Sequence, residues 1–314
     1  MKICIAGPGA FGTNHLKALA NIKDAEVISL VGVEPNTAEV ARTYKIPHYT
    51  HDLAEALKQP GLDAVILATP TQIHAKQAEQ VMRAGKHVLV EIPMADSLED
   101  AERLVAVQKE TGVVAMAGHV RRFNPSHQWV RKKILNDELT IQQMDVQTYF
   151  FRRTNMNAAG QPRTWTDHLL WHHACHTVDL FQYQTGELPN VAHAVQGPMH
   201  DKLGIAMDMA IHLKVPSGAL LTLSLSFNND GPFGSFFRYI CDNGTFKALY
   251  DDLVDGADKP IDVSKVDVSM NGIELEEREF FAAIKDGREP NASLAQCLPT
   301  MQTLDRLERC FKEG

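Results

Sequence analysis

Several features that mark special classes of protein are missing from this sequence. Its 314 residues contain no apolar run long enough to span a bilayer. The five cysteines are odd in number and include no Cys-x-x-Cys pair, so they indicate the reduced thiols of a cytoplasmic protein and not a disulfide framework. The formal net charge of −8 argues against nucleic acid as a partner, because a phosphate backbone requires a basic surface. We therefore expect a cytoplasmic protein with no membrane and no nucleic acid among its partners.

The first part of the chain has the pattern of a nucleotide-binding domain. Apolar residues make up 44% of the chain and charged residues 22%, which is typical of a globular protein long enough for two domains. Up to residue 118, apolar strands alternate with amphipathic helices, and the chain opens on such a strand, so we expect no cleavable signal. The strands lie at residues 2–6, 26–33, 63–68, 86–90 and 113–118. This alternation predicts an α/β fold, with residues 1–118 forming a Rossmann domain on a doubly wound parallel sheet.

From residue 119 the pattern changes to that of a half-exposed sheet. Residues 141–152, 206–215 and 219–227 alternate between apolar and polar positions, and residues 238–250 read as a hairpin. We predict that residues 119–314 form a C-terminal α+β domain with an open-faced, mostly antiparallel sheet. The open face indicates a homodimer. A last helix from residue 294, which Pro299 either breaks or restarts, is expected to pack back on the first domain.

The most informative motif is Gly7-Pro8-Gly9-Ala10-Phe11-Gly12, between the first strand and the first helix. The first glycine permits the tight turn, the second lets the backbone approach a pyrophosphate, and the third lets helix and strand pack closely. Glu34 follows 22 positions after Gly12, which is the spacing at which a carboxylate meets an adenosine ribose. The predicted coenzyme contacts here are Gly7, Gly9, Ala10, Phe11, Gly12 and Glu34.

Two further strand ends belong to the same predicted site. Ligands of doubly wound sheets bind at the carboxyl ends of the strands. The third strand runs into Thr69, Pro70, Thr71 and His74, and the fourth runs into Glu91, Ile92 and Pro93. We expect these residues to lie beside the coenzyme.

Three of these strand-end segments carry a resemblance to a known family. Residues 68–74, 84–93 and 121–125 read ATPTQIH, AGKHVLVEIP and RRFNP, and they resemble the Gfo/Idh/MocA oxidoreductase family. The resemblance extends over essentially the whole chain. It implies a Rossmann domain followed by an open-faced sheet domain, with NAD(P) in the cleft between them. Family members usually have lysine where this chain has Ile92, and aspartate where it has His172. Glu34 favours NAD, whereas the resemblance also allows NADP, so the expected cofactor is NAD(P).

Residues 142–153, 165–173 and 224–232 resemble members of the family that oxidise a cyclic hemiacetal carrying two carboxylates. The resemblance implies an NAD(P)-dependent dehydrogenase that acts on a CH–OH group of a small dicarboxylate. Arginine binds a planar carboxylate through two parallel hydrogen bonds. We therefore expect substrate contacts from Arg121, Arg122, Arg152, Arg153 and Arg163. The alternative for each of them is an ion pair with a surface Asp or Glu.

A group of histidines provides candidates for acid–base chemistry. Oxidation of a hemiacetal requires a base for the hydroxyl proton, and histidine titrates near neutral pH. His172 and His176 are four residues apart on a predicted helix, share a face, and match the acid–base positions of the family. We expect His176 to be the base and His172 to assist. His173 projects elsewhere and is expected to bind a substrate carboxylate. Asp179, on the same stripe, either orients an imidazole or forms a helix salt bridge.

Two other chemistries and two other functions use the same features. His172 and His176 have the spacing of zinc ligands, but there is no His-Glu-x-x-His pattern and no evident third ligand, so we expect no metal. Cys175 is a candidate thiol nucleophile, but it lies off the histidine stripe and is expected to be a small buried thiol. The alternative functions are a sugar or polyol dehydrogenase of the same family and a dinucleotide-binding regulator that catalyses no reaction.

Overall fold

The computed structural model describes residues 1–33, 36–156, 160, 162–163, 166–266 and 272–311. The chain divides into two compact units. The first contains Met1–His119 and Ile273–Leu298, and the second contains Val120–Gly272 and Pro299–Gly314. The division expected from the sequence, after residue 118, keeps all of 119–314 in one domain, whereas the structure returns Ile273–Leu298 to the first unit. Among the helices of the described ranges, none combines the length and the apolarity that crossing a membrane requires.

The first unit is built on a sheet of six strands. These are β1 Lys2–Ala6, β2 Glu26–Val31, β3 His48–Thr50, β4 Ala64–Leu67, β5 His87–Glu91 and β6 Ala115–Gly118. Their order in space is β3-β2-β1-β4-β5-β6, and every pairing is parallel. The chain order reverses beside β1, and ligands of such sheets bind at the carboxyl ends of the strands near this point.

Helices connect these strands and cover the sheet. They are α1 Ala10–Leu19, α2 Asn36–Thr43, α3 Leu53–Ala56, α4 His74–Arg83 and α5 Leu98–Thr111. The central strands β1, β4 and β5 are buried on both faces, with Ile5, Ile66 and Leu89 completely inaccessible. Continuous apolar strands of this kind are stable only when helices cover both faces of the sheet, so the parallel arrangement follows from the composition.

A later part of the chain returns to the first unit because it covers the edge strand β6. The N–H of Ala117 donates to the carbonyl of Ala292 at 2.9 Å, and Met116 forms an isolated antiparallel bridge with Ser293. Two later helices flank this contact, α8 at Gly272–Asp286 and α9 at Leu294–Cys310. Pro299 lies inside α9, which continues past it. An uncovered edge strand would expose unpaired backbone groups, and residues 292–293 remove that exposure on β6.

The second unit contains a sheet of seven strands. These are β7 Ile141–Tyr149, β8 Val191–Gln196, β9 Asp208–Lys214, β10 Leu220–Ser226, β11 Gly234–Cys241, β12 Gly244–Leu249 and β13 Asp252–Asp255. Their order is β13-β12-β11-β7-β10-β9-β8, and only the β7–β10 pairing is parallel. Burial alternates along β9 and β10, so one face of the sheet is covered and the other is open.

The second unit also contains two helices, and the second of them follows the segment that carries two of the candidate histidines. They are α6 at Pro125–Leu135 and α7 at Cys175–Thr185, and a π-helical segment at Leu169–Ala174 leads directly into α7. The predicted fold class, a parallel Rossmann sheet followed by a mostly antiparallel sheet, is confirmed. The sequence analysis did not predict β3, β8 and β13, which are short or lie at a sheet edge. It also did not predict α8.

Candidate active site

The glycine-rich turn has the geometry that each glycine was expected to provide. Gly7 has a φ of +99°, and a Cβ at this position would lie 2.3 Å from the carbonyl oxygen of Ala68. A Cβ on Gly12 would lie 1.9 Å from the oxygen of Gly7. A Cβ on Gly9, by contrast, would have no atom within 4 Å. Gly7 and Gly12 are therefore required by the turn itself, whereas Gly9 leaves open space at the position where a ligand can approach the backbone.

The helix that follows presents its first amide groups at this open space. α1 begins at Ala10 with Gly9 as its N-cap, and no described side chain caps the first turn. Ala10 and Phe11 are exposed. Uncapped N–H groups and the partial positive charge of a helix N-terminus favour an anion, so this turn fits the pyrophosphate of a dinucleotide. Glu34, expected at the ribose, lies outside the described residues.

His74 joins two of the predicted strand ends. Its Nε2 lies 2.8 Å from the carbonyl oxygen of Thr69, and its Nδ1 lies 2.8 Å from that of Pro93. Burial lowers the pKa of His74, although both hydrogen bonds act in the opposite direction. His74 therefore links the segments that follow β4 and β5. It is 1% exposed, so it does not face solvent. Thr71 is also buried, and its side chain bonds to Asp96.

Glu91, at the end of β5, is held by groups that the sequence analysis did not connect with it. One carboxylate oxygen lies 2.8 Å from Nε2 of His15, and the other accepts the N–H of Ile92 at 3.2 Å. A Cβ on Gly118 would lie 3.0 Å from this carboxylate, so Gly118 packs closely against it. The strand end 91–93 is thus fixed by buried hydrogen bonds.

In the second unit, the structure gives Arg122 a different environment from the one expected. Its Nε and Nη2 donate to the two carboxylate oxygens of Asp179, both at 2.7 Å, and its guanidinium lies 4.8 Å from the ring centroid of Tyr183. Both members of the ion pair are buried. Asp179 also accepts a hydrogen bond from Thr300 at 3.1 Å. Asp179 thus forms a salt bridge, but with Arg122, an expected substrate ligand outside its own helix, and not with a residue of the helix as the sequence suggested.

Arg121 is likewise enclosed by protein groups. Its guanidinium lies 4.7 Å from the ring centroid of Tyr250 and 5.7 Å from that of Phe237, and Nη1 is 3.5 Å from Oδ1 of Asn124. The residue is 8% exposed, and this burial lowers the pKa of the guanidinium. Cation–π contacts on two sides stabilise the buried charge. The expected role of Arg121 as a direct ligand therefore has little exposed surface to support it.

Two other expected arginines meet at one aspartate that the sequence analysis did not single out. Arg152 forms an ion pair with Asp167, and Nη1 of Arg163 lies 3.4 Å from the same carboxylate. Burial alone would raise the pKa of Asp167, but the charge and hydrogen bond of Arg152 lower it. Within the described residues, Nη1 of Arg152 is buried and has no hydrogen-bond partner. Two guanidinium groups thus share one carboxylate.

His173 lies close to the same group in an aromatic setting. Its ring centroid is 5.3 Å from that of Phe150 and 5.1 Å from that of Phe227. The guanidinium of Arg152 also lies over the Phe227 ring, 4.6 Å from its centroid. Burial lowers the pKa of His173 to about 4, so the ring is neutral at pH 7. Arg153 is exposed, covers the ring of Phe151, and donates to backbone carbonyls and to an asparagine.

His172 and His176 fall on either side of a change in helix type. His172 lies in the π-helical segment, and its Nδ1 accepts the backbone N–H of His168 at 3.0 Å. In neutral His172 the proton is therefore on Nε2. His176 lies in the first turn of α7, and both side chains are half-buried. Segments of π-helix occur frequently at functional sites. Cys175, between them, is buried, as expected.

The parallel sheet with its glycine cradle, followed by a mostly antiparallel sheet, defines a class of nicotinamide-dependent oxidoreductases. A family model described as the NAD-binding Rossmann fold of an oxidoreductase family (Gfo/Idh/MocA) matches residues 1–119. A second model, for the C-terminal part of bacterial oxidoreductases, matches residues 125–267. The chain belongs to the Gfo/Idh/MocA oxidoreductase family, and its first unit is the NAD-binding fold of that family.

Individual relatives agree with this assignment. The chain is 62% identical to the 4-carboxy-2-hydroxymuconate-6-semialdehyde dehydrogenase of Sphingobium sp. (strain NBRC 103272 / SYK-6), over 98% of both chains. It is 25% identical to the scyllo-inositol 2-dehydrogenase (NAD(+)) of Bacillus subtilis (strain 168), over 76% of this chain and 70% of the relative. Among solved structures, levoglucosan dehydrogenase in complex with NADH superimposes with a TM-score of 0.86 at 19% identity, covering 100% of this chain and 97% of the other. This last similarity shows the fold alone.

Proposed function

We propose that the protein oxidises 4-carboxy-2-hydroxymuconate-6-semialdehyde, as its cyclic hemiacetal, to 2-pyrone-4,6-dicarboxylate with NAD(P)+, in the protocatechuate 4,5-cleavage pathway. The observation that carries this proposal is the 62% identity to a dehydrogenase of that name along nearly the whole of both chains. The similarity extends over 98% of both chains, so it includes both units. The residues of the second unit have the chemistry that such a substrate requires.

A dicarboxylate needs fixed cations, and we assign one of its carboxylates to the group formed by Arg152, Arg163 and His173. The two guanidiniums share Asp167, so one carboxylate orients both of them. Nη1 of Arg152 has no hydrogen-bond partner in the described part of the chain, so it is able to donate to a carboxylate. Nε2 of neutral His173 likewise has no hydrogen-bond partner in the described residues. It supplies a second donor in the tautomer that carries the proton on Nε2.

Arg121 and Arg122 enter the proposal in a different role. Nε and Nη2 of Arg122 already donate to Asp179, and aromatic rings lie against the guanidinium of Arg121. Breaking a buried, bidentate ion pair to bind a substrate would be costly. We propose that these two arginines fix the 3₁₀ turn Val120–Arg122 and α7, and that Arg153, which is exposed, is available to the second carboxylate.

For the proton, the hydrogen bond at His172 separates the roles of the two histidines. Since Nδ1 of His172 accepts a backbone N–H, its Nε2 carries the proton and donates. A donor of this kind orients the hemiacetal hydroxyl but does not deprotonate it. We therefore propose His176 as the base that takes the hydroxyl proton, with His172 as its assistant.

The coenzyme is held by the first unit. Its pyrophosphate fits the space over Gly9 and the first amides of α1, and residues 69–71 and 91–93 line the neighbouring strand ends. When bound, NAD(P)+ supplies the hydride acceptor for the carbon that bears the hemiacetal hydroxyl. Glu34 remains the predicted ribose ligand, which a comparison of NAD+ and NADP+ specificity constants in wild type and Glu34→Arg tests.

Two further parts of the proposal concern the state of the protein in the cell. We propose a cytoplasmic homodimer formed through the open face of the seven-stranded sheet. On this face, exposed Val195 pairs with Ala210, and the neighbouring row pairs Asp145 with Arg238. Apolar positions beside charges of both signs suit the self-complementary surface of a two-fold dimer. Light scattering of wild type and Val195→Asp tests this, and a monomeric wild type would contradict it.

The substrate is tested by the appearance of reduced coenzyme. We expect turnover when the protein is supplied with the semialdehyde and NAD+ or NADP+, and no comparable turnover with inositol or glucose. Turnover of inositol or glucose alone would indicate a polyol or sugar dehydrogenase. Coenzyme binding without turnover of any of the three would indicate a regulator.

A further inference from the structure

A fully buried histidine in the first unit contacts two carboxylates. His15, on α1, is 0% exposed, and its Nε2 lies 2.8 Å from Oε1 of Glu91 while its Nδ1 lies 3.0 Å from Oε1 of Glu277. A neutral imidazole carries one N–H, and an ionised carboxylate only accepts. When Glu91 and Glu277 are both ionised, each ring nitrogen must donate, and this requires the positively charged ring. Burial opposes this charge, but the hydrogen bonds to Glu277 and Glu91 outweigh it and raise the pKa of His15 to about 10.

Helix α8 brings further acids to the same place. Glu276 is 0% exposed, and neither of its carboxylate oxygens has a hydrogen-bond partner in the part of the chain that the structure describes. Burial and the charge of Glu91 raise the pKa of Glu276 well above its usual range, so the neutral carboxyl is favoured. Burial also raises the pKa of Glu277 to about 7, against the hydrogen bond from His15, and Glu274 on the same helix acts in the direction of burial. The cluster thus contains one fixed cation and one carboxyl that titrates near pH 7.

The cluster connects two segments of the dinucleotide site with helix α8. α1 begins at the glycine-rich turn, and Phe11 of that turn packs edge-on against His15 with ring centroids 6.0 Å apart. Glu91 ends β5 and accepts the N–H of Ile92, so its position determines that of the strand end 91–93. Glu277 belongs to a helix that comes from a distant part of the sequence. Without the cation, Glu91 and Glu277 would be two buried like charges.

We infer that protonated His15 is a positioning residue for coenzyme binding, because it holds the end of β5 and helix α8 against the helix that carries the glycine-rich turn. The inference rests on dinucleotide binding by the first unit. It has a consequence for pH. Ionisation of Glu277 adds a negative charge to the cluster that supports an anion-binding turn, so coenzyme affinity falls as pH rises through about 7.

The test measures coenzyme binding without turnover. The dissociation constant of NADH or NADPH is determined from coenzyme fluorescence between about pH 6 and pH 8.5, and we expect it to rise about threefold or more across this range in the wild type. Glu277→Gln retains the shape of the side chain but does not titrate, and it is expected to flatten the profile. His15→Asn removes the cation and is expected to weaken coenzyme binding by about tenfold or more.

His48→Asn is the matched control, since His48 is a half-buried histidine of the same unit whose Nδ1 bonds to Ser29 at 2.9 Å. Its dissociation constants should follow those of the wild type. A flat wild-type profile, an unchanged slope in Glu277→Gln, or wild-type affinity in folded His15→Asn would overturn the inference. If His15→Asn does not fold, the slope in Glu277→Gln decides. A wild-type protein that binds neither coenzyme at any pH would instead refute dinucleotide binding itself.

Discussion

Replacing Gly9 by alanine separates ligand binding from folding. An added Cβ meets no atom within 4 Å, and the φ of −74° and ψ of −170° are open to alanine, so the free energy of unfolding should stay within about 0.5 kcal/mol of the wild type. The methyl group would nevertheless occupy the space through which the pyrophosphate approaches α1. Loss of one hydrogen bond to a charged group costs about 1.5–3 kcal/mol. The dissociation constant of the coenzyme should therefore rise about 10- to 150-fold.

Two other glycines provide the controls for this experiment. Gly7→Ala places a Cβ 2.3 Å from a backbone oxygen at a φ of +99°, so it should lower the free energy of unfolding by about 2 kcal/mol or more. Gly256→Ala, in the second unit, meets its nearest atom at 3.4 Å and should change neither stability nor coenzyme binding. Urea denaturation and coenzyme fluorescence measure the two quantities. Wild-type coenzyme affinity in Gly9→Ala would refute the placement of the pyrophosphate over this turn.

Three further predictions concern buried charges. Arg122→Met removes the ion-pair partner of buried Asp179 and should lower the free energy of unfolding by about 3–5 kcal/mol in urea denaturation. The double variant with Asp179→Leu should recover most of this loss. An equal loss in both variants would contradict the structural role of the pair. Arg152→Gln should raise the KM for the semialdehyde about tenfold or more with coenzyme affinity unchanged, whereas Arg309→Gln, in an exposed ion pair, should change neither. The melting temperature of Glu276→Gln relative to the wild type should increase as pH rises above about 4.5. Because the pKa of Glu276 is raised in the folded protein, the unfolded chain loses this proton first, and the wild type loses stability in that range. A difference in melting temperature that does not change with pH would contradict this.

The parts of the fold that follow from local rules could be predicted from the sequence. Gly7 and Gly12 are needed by a turn only a few residues long, so their spacing is sufficient evidence for the turn. β4 is apolar along its whole length and β1 is apolar after Lys2, which predicts a parallel sheet without knowledge of its partners. Three-residue β3 carries too little pattern to be predicted in the same way.

The residues that sequence analysis missed depend on contacts between distant parts of the chain. Arg122 and Asp179 are 57 positions apart. The sequence could therefore indicate an imidazole near Asp179 on the same helix, but it could not show that Arg122 forms an ion pair with Asp179. His15 and Glu277 are separated by 262 positions, and glutamates on a helix usually face solvent. Nothing in the local pattern of α8 indicates that two adjacent glutamates are buried. Asp167 is a different case, because Arg163 is only four positions away, and the spacing could have indicated this contact.

Hydride transfer from the hemiacetal carbon can be measured directly with 4-carboxy-2-hydroxymuconate-6-semialdehyde that carries deuterium at its aldehyde carbon. After turnover with NAD+ or NADP+, we expect one deuterium in the nicotinamide ring of the reduced coenzyme for each molecule of 2-pyrone-4,6-dicarboxylate formed, and none at the new lactone carbonyl. Coenzyme that stays oxidised, or deuterium that remains in the product or is released to solvent, would contradict the proposed reaction.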